Sequence, residues 1–428
     1  MRRLLIAVGL AVVARPLVAQ IDTTRRPTSR ADSLRQKAIQ DSIALMRALE
    51  GAQARPAQAP GATGGAIGPT NPRLLPDFSA VGDFVGDLSP KGTTQSDNTR
   101  FGVREVELAI QAVVDPYFRG DVFLGISDLE GISIEQAFLT TTSLPDVEIR
   151  LGRFLMPFGK ENTIHRHDLH TIEYPWVIQR LLSDDALKGT GVWVSKVFAP
   201  FGFYQELQVT AVDRLRETPE ELVSIEPVNK SLAGMGYSAR LRNYVDINES
   251  TNFELSGSAL TGRVERPFVD LDGNVVTFSN FNATLARQTI VGADLTFRWR
   301  PLQQGLYKSF LLQTEVMHEI NEANPDPRLA GVPLTAVAVG RDYTGGYVLA
   351  RYQIGQRLFL NARYDAVQDP LAGGQTLTAG SGYLEWFPSE FSKLVAAYER
   401  LNRPGFEGTN RILVQATFAL GPHKPHPF

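Results

Sequence analysis

The sequence predicts an all-β fold: a transmembrane antiparallel β-barrel of about sixteen strands, within a range of about fourteen to eighteen, preceded by a short periplasmic helix and a linker. Three observations predict it. The chain opens on an export-type apolar segment, it alternates polar and apolar residues with period two from about residue 73 onward, and the connections between the alternating stretches are long and short in turn.

The opening residues MRRLLIAVGLAVVARPLVAQ place Arg2 and Arg3 before an apolar run from Leu4 to Val13, with Leu17-Val18-Ala19 as a cleavage site. Residues 1–19 therefore read as a signal peptide. A run of about ten apolar residues is too short to cross a bilayer as a helix, and no later run reaches the roughly eighteen that would. The chain has no cysteine, so neither disulfides nor thiolate metal sites contribute. A formal charge of −3 gives no basic face, which excludes nucleic acid as a partner.

Residues 29–50, SRADSLRQKAIQDSIALMRALE, have high helix propensity, with Leu34, Ala38, Asp41, Leu45 and Ala48 near heptad spacing. Both a short oligomerising coiled coil and a lone surface helix fit this pattern. The Ala-, Pro- and Gly-rich stretch 51–72 cannot bury a core and reads as a linker. The expected organisation is a signal peptide at 1–19, a periplasmic helix and linker at 20–72, and a barrel at 73–428.

In RLFLNARYDA, Leu358, Leu360, Ala362 and Tyr364 share one face, and Arg357, Asn361, Arg363 and Asp365 share the other. ADLTFRWR, NFELSGSAL and ILVQATFAL sort in the same way. Strands of about ten residues exceed the five or six usual in soluble sandwiches and suit a bilayer crossing, apolar toward lipid and polar toward the lumen. Counting back from the last strand at 411–420, the connections at 402–409, 368–374, 321–340, 262–287, 214–230, 156–189 and 130–131 fall outside. Those at 388–393, 355–356, 301–309, 246–250, 199–202, 143–146 and 115–120 fall inside. A first strand at 77–87, with 89–100 as its loop, completes the set, and an extra strand pair at 276–284 would change the count. Trp299, Trp386, Phe387, Phe198, Phe201, Phe203 and Tyr204 cluster at the inner turns, where an interfacial aromatic girdle is expected.

The stretches REVELAIQAVVDPYFRGDVFLGI, LGRFLMPFGKENTIHRHDLHTIEYPWVIQRLLSDDALKGTGV and GPHKPHPF resemble outer-membrane porin-like proteins related to the phosphate-selective porin O and P family. The resemblance implies a sixteen-stranded barrel, often trimeric, set in the lipid of a Gram-negative-type outer membrane and passing small solutes or ions. Phosphate selectivity is not carried over, because the family's ordered arginines and lysines are not matched here residue by residue. Phe428, as the last residue, suits recognition by the barrel assembly machinery.

A barrel of this width leaves an aqueous channel unless something narrows it. The lumen-side charges are Arg240, Arg242, Glu254, Asp294, Arg298, Arg300, Arg351, Arg363, Asp365 and Arg411. They read either as an anion-attracting ladder or as a wall of mutual salt bridges with little selectivity. The longest connection carries TIHRHDLHTIEYPW and three of the chain's six histidines. Its polar residues His165, Arg166, His167, Asp168, His170 and Glu173 are the expected constriction. His165, His167 and His170, with Asp168 or Glu173, also have the chemistry for zinc or copper. A constriction without metal and locally bonded loop histidines are the competing readings, and no cofactor is expected. In the same loop PWVIQRLL suits a short helix beginning at Pro175, with Trp176, Ile178, Leu181 and Leu182 as its apolar contacts. His423 and His426 read as part of a short periplasmic tail.

The function these features predict is passive diffusion through an outer-membrane channel. A TonB-dependent-type receptor would need about twenty-two strands and a folded plug, for which 20–72 is too short and too polar; a metal-responsive transport barrel is a further alternative. An enzyme has little to build on, since no G-x-S-x-G is present and the histidine-rich loop has only Ser183 nearby. An adhesin would call for long hydrophobic loops.

Overall fold

The computed structural model describes residues 76–421, apart from 96–97, 128–130, 217–221, 223–231, 268–276, 278–282 and 323–339. The export segment, the helix at 29–50, the linker, His423, His426 and Phe428 lie outside the described residues.

Sixteen strands follow one another in the chain: β1 (Asp77–Asp87), β2 (Phe101–Asp115), β3 (Phe118–Ser127), β4 (Gly131–Thr141), β5 (Val147–Leu155), β6 (Lys188–Phe198), β7 (Tyr204–Val212), β8 (Gly236–Asn248), β9 (Thr251–Pro267), β10 (Ala283–Trp299), β11 (Phe310–Asn321), β12 (Tyr343–Gly355), β13 (Leu358–Asp369), β14 (Gln375–Ser389), β15 (Ser392–Asn402) and β16 (Thr409–Leu420). Each pairs antiparallel with the next, and β16 pairs with β1 from Ala80↔Leu420 to Asp87↔Leu413, so the barrel is closed and leaves no edge unpaired. Closure by an even number of strands returns both ends of the barrel to one rim, that of the short turns.

The short turns are built locally. Asp115 accepts the backbone N–H groups of Tyr117 and Phe118 at 2.7 and 2.9 Å, which reverses the chain in two residues. The long connections gather at the opposite rim. The connection expected at 262–287 is shorter than its sequence suggests, because β9 and β10 stay paired as far as Pro267↔Ala283 and run to seventeen residues each.

Period two decides what each face meets. On β13, Leu360 and Tyr364 project from the outer wall with 48 and 58 % of their surface exposed, while Asn361, Arg363 and Asp365 are buried inside. Val348, Leu384 and Phe418 extend the apolar outer surface on neighbouring strands. Closed pairing satisfies the backbone along the ladders from strand to strand, and an apolar exterior then needs lipid rather than water. Among the described residues no helix is long and apolar enough to cross a membrane, so the strands form the wall. Phe387 departs from the expected girdle: Trp386 takes the outward position, so Phe387 turns inward and packs edge-on to Phe359 at 5.7 Å.

The inner face is not polar throughout. On β12, Tyr343, Tyr347 and Leu349 point inward and are almost fully buried, while Val348 and Tyr352 point outward. Leu260, Ile290, Met317, Val367, Leu377 and Leu401 join them in one apolar cluster inside the barrel.

Where β5 meets β4 the backbone runs too close for a side chain. A Cβ on Gly152, at φ +139°, would lie 2.1 Å from the carbonyl oxygen of Ala137. Gly152→Ala is expected to cost about 1–3 kcal/mol through strain at this φ, read as a lower unfolding midpoint in detergent; an unchanged midpoint would show that the β4–β5 seam yields freely.

Candidate functional site: a loop folded into the lumen

Beyond Leu155 the chain turns into the barrel instead of away from it, and residues 156–187 fill part of the lumen. Met156 and Phe158 are fully buried, and Gly159 sits at φ +60° with its Cβ position 2.1 Å from a carboxylate oxygen of Glu315. Only glycine lets the loop lie this flat against β11. A helix, α1 (Trp176–Leu181), then buries Val177, Ile178 and Leu181 completely in the inner apolar cluster. Burial of each such aliphatic side chain contributes about 1.5–3 kcal/mol. Pro175 has no side chain to cap the helix, and Asp365 of β13 takes that role by accepting the Trp176 N–H at 2.9 Å.

Polar side chains of the wall hold the rest of the loop by its backbone. Lys393, 1 % exposed, donates to the carbonyls of His167 and Leu169 at 2.5 and 2.9 Å. Asn361 donates to His170 O at 2.6 Å, Arg363 to Glu173 O at 2.8 Å and Arg104 to Ile172 O at 2.9 Å. Near the loop's start, Lys160 pairs with Glu254 at 2.8 Å and the Glu161 N–H donates to Glu315 at 2.7 Å.

The charges expected on the lumen side are almost all paired. Arg240 lies 3.3 Å from Asp294 and 3.7 Å from Glu254; Arg242 reaches Glu206 at 2.6 Å and Glu254 at 3.4 Å, and Arg298 reaches Glu254 at 3.8 Å. Arg351 pairs with Glu385 at 2.7 Å, Arg363 with Asp365 at 2.7 Å, and Arg411 with Glu399 at 2.7 Å and Glu173 at 2.9 Å. Arg300 does not belong with them: it lies past the end of β10 in the short turn, exposed, where it donates to Gly305 O at 2.9 Å. Arg363, Asp365 and Arg411 hold the loop instead of lining open water.

Of the three loop histidines, His165 and His167 stay together beside Glu107, and His170 turns away to another part of the wall. The His165 ring nitrogens contact Glu107 Oε2 and Gln136 Nε2, each at 2.7 Å, and its ring lies 5.3 Å from that of Phe123. His167 is buried against the same wall, 5.6 Å from His165 between ring centroids, while His170 approaches Glu385 at 4.0 Å. A 3₁₀ turn at Arg166–Asp168 interrupts the extended run, and His170 beyond it faces a different part of the wall. Arg166 ties the loop to itself through Asp185 at 2.9 Å, and Glu173 is taken by Arg411. Among the described residues no group of three or more histidine, aspartate or glutamate side chains is placed to hold a metal ion. Ser183 accepts from the Asp185 N–H at 3.4 Å and caps its own turn.

Burial opposes charge on His165, but the Glu107 carboxylate that bonds it, with help from Asp168 and Glu105, raises its pKa above the ordinary value. Burial lowers His167 despite Asp168 and Glu107, and burial with the positive charge of Arg351 and Lys393 holds His170 well below its ordinary value. For Glu173, burial pushes upward, yet the charge and hydrogen bond of Arg411 bring it down to about 2.

The loop leaves one sector open. Beneath it, toward the short-turn rim, a cavity of about 500 Å³ is bounded by β2 to β8 and roofed by Leu155, Pro157, Thr163 and His165. Glu107, Lys393, Glu399 and Glu315, which fix the loop, were not singled out from the sequence; their signal is a charged residue at an inward strand position.

No family model matches the chain. It is 25 % identical over 346 residues to a protein of Aquifex aeolicus (strain VF5) described as "Uncharacterized protein", covering 77 % of this chain and 70 % of the relative. Among solved structures it is similar to the outer-membrane protein OmpT of Vibrio cholerae in its trimer form (TM-score 0.51, 11 % identity, 81 % of this chain and 99 % of that one). It is likewise similar to the outer-membrane channel DcaP of Acinetobacter baumannii (0.50, 11 %, 81 and 97 %) and to the anion-selective porin from Comamonas acidovorans (0.51, 10 %, 81 and 99 %). At these identities the likeness is one of fold: a closed outer-membrane-type barrel.

Two predictions follow from the way the loop is held. Lys393→Met strands two loop carbonyls at about 1–3 kcal/mol each and is expected to speed proteolysis within 160–170; an unchanged cleavage rate would mean that the apolar contacts alone hold the loop. His165, with its pKa raised on folding, supports the loop fully below the ordinary value of 6.5 and loses that support as pH rises through its folded value. Amide exchange of residues 163–168, corrected for intrinsic rates, is expected to be faster at about pH 9 than at about pH 6, and His165→Gln should flatten the difference.

Proposed function

We propose that the chain is a passive outer-membrane channel for small solutes, narrowed by residues 156–187. The observation that carries the reading is the loop itself: it is packed into a closed barrel along one arc of wall and leaves a cavity of about 500 Å³ along the other. An apolar exterior with a charged, mostly paired interior is what a membrane pore requires and what a soluble binding protein would not tolerate. Likeness of fold to outer-membrane channels supports the same reading, as does the resemblance in residues 101–200. Assembly as a homotrimer, delivery by the barrel assembly machinery and removal of a signal peptide at 1–19 belong to this proposal. Sixteen strands, rather than about twenty-two, and a lumen filled by the barrel's own β5–β6 connection favour a channel over a TonB-dependent receptor.

Because lumen arginines are matched by carboxylates, ion selectivity is expected to be weak. Refolded protein in planar bilayers should give stable conductance steps with a reversal potential near zero under a salt gradient. Replacing 160–186 by a short Gly/Ser linker should enlarge each step several-fold, since the constriction is removed. A folded protein that gives no steps would overturn the channel reading, and equal steps from the shortened loop would overturn the constriction.

A further inference from the structure

The cavity beneath the loop has its own chemistry. Three guanidinium–carboxylate pairs face it: Arg119 with Asp121 at 2.8 Å, Arg150 with Glu148 at 2.7 Å, and Arg242 with Glu206 at 2.6 Å. Arg150 is also stacked, its guanidinium carbon 4.4 Å from the ring centroid of Trp193 and 5.0 Å from that of Phe138. Stacking and the Glu148 bond fix this planar donor in place. Gln208 lines the same cavity with 9 % of its surface exposed; its amide nitrogen donates to Glu206 at 2.9 Å, and its amide oxygen is buried without a hydrogen-bond partner.

We propose that this cavity is a transit subsite for uncharged polyhydroxylated solutes of disaccharide size; the inference rests on the channel reading and names its solute class. Opposite charges stand within 2.8 Å in all three pairs, so an entering ion gains little and must break a pair to be held. A hydroxyl group does not face that cost. It donates to a carboxylate and accepts from a guanidinium at the same time, leaving the pairs intact. Phe123 and Phe138 contribute apolar surface for the C–H face of a sugar ring. About 500 Å³ lies within the range that holds a small organic ligand.

The test uses maltose on the refolded full chain in planar bilayers, added on the short-turn side, with glycine betaine and inorganic phosphate as the zwitterion and anion controls. Maltose should block the current in a saturable way, and the controls at equal concentration should not. Arg150→Met should weaken the block about fivefold, the loss of one net hydrogen bond. Conductance steps without a maltose block, or a block by phosphate or betaine alone, overturn the solute class while leaving the channel intact. Absence of any steps overturns the channel reading; titration calorimetry of the folded protein with maltose in detergent then decides the subsite by itself, and absence of saturable heat overturns it.

Discussion

Everything else in this molecule depends on one constraint: the barrel carries apolar surface on both sides of the same strands, and the inner surface has to be covered. Outside, lipid covers Val348, Leu360 and Tyr364. Inside, Tyr347, Leu349, Val367 and Leu401 have no lipid, and leaving them to water would cost about 25 cal/mol for each Å² of apolar area. The β5–β6 connection covers them with Met156, Phe158, Val177, Ile178 and Leu181. The narrowing of the lumen is therefore a consequence of core formation, built by the same packing that stabilises soluble proteins.

Covering that surface draws an irregular backbone into the barrel, and its carbonyl and N–H groups then need partners. The wall supplies them from inward strand positions: Lys393, Asn361, Arg363 and Arg104 donate to loop carbonyls, while Asp365 and Glu315 accept from loop N–H groups. Burying the arginines among them is tolerable because they are paired again, as Arg363 is with Asp365 and Arg104 with Asp83. Charges on the inner wall thus serve two ends. Those on β2, β9, β11, β13, β15 and β16 anchor the loop, and those on β3, β5, β7 and β8 face the open cavity.

Period two carries the barrel in plain sight, because one misplaced residue would turn a whole strand inside out. β1 (Asp77–Asp87) and the alternation of long with short connections are legible on that basis, as is α1 from Pro175 and its apolar positions. Single residues at strand ends are less so. Phe387 and Arg300 sit where one step of register, or the end of β10, decides between lipid, lumen and turn. The histidine cluster was left open between metal, a metal-free constriction and local bonding for a different reason: spacing along the chain does not show that His165 and His167 share Glu107 while His170 turns to Glu385. One signal was present and unread. The first four inward positions of β12, Tyr343, Gly345, Tyr347 and Leu349, are as apolar as its outward ones, before Arg351 and Gln353 resume the polar face, and a wholly water-facing wall would not allow such a run.

The two sides of the loop are held by different kinds of force. Against β11 to β15 the loop is packed, with buried aliphatic and aromatic side chains backed by charge-assisted hydrogen bonds, so movement there means opening a core. Against β2 and β4 it is held by polar contacts: Arg104 donates to Ile172 O, and His165 bonds Glu107 and Gln136 and roofs the open cavity. A solute on the proposed route beside β2 to β8 would meet the paired charges of Arg119, Arg150 and Arg242 on one side and the underside of the loop at His165 on the other.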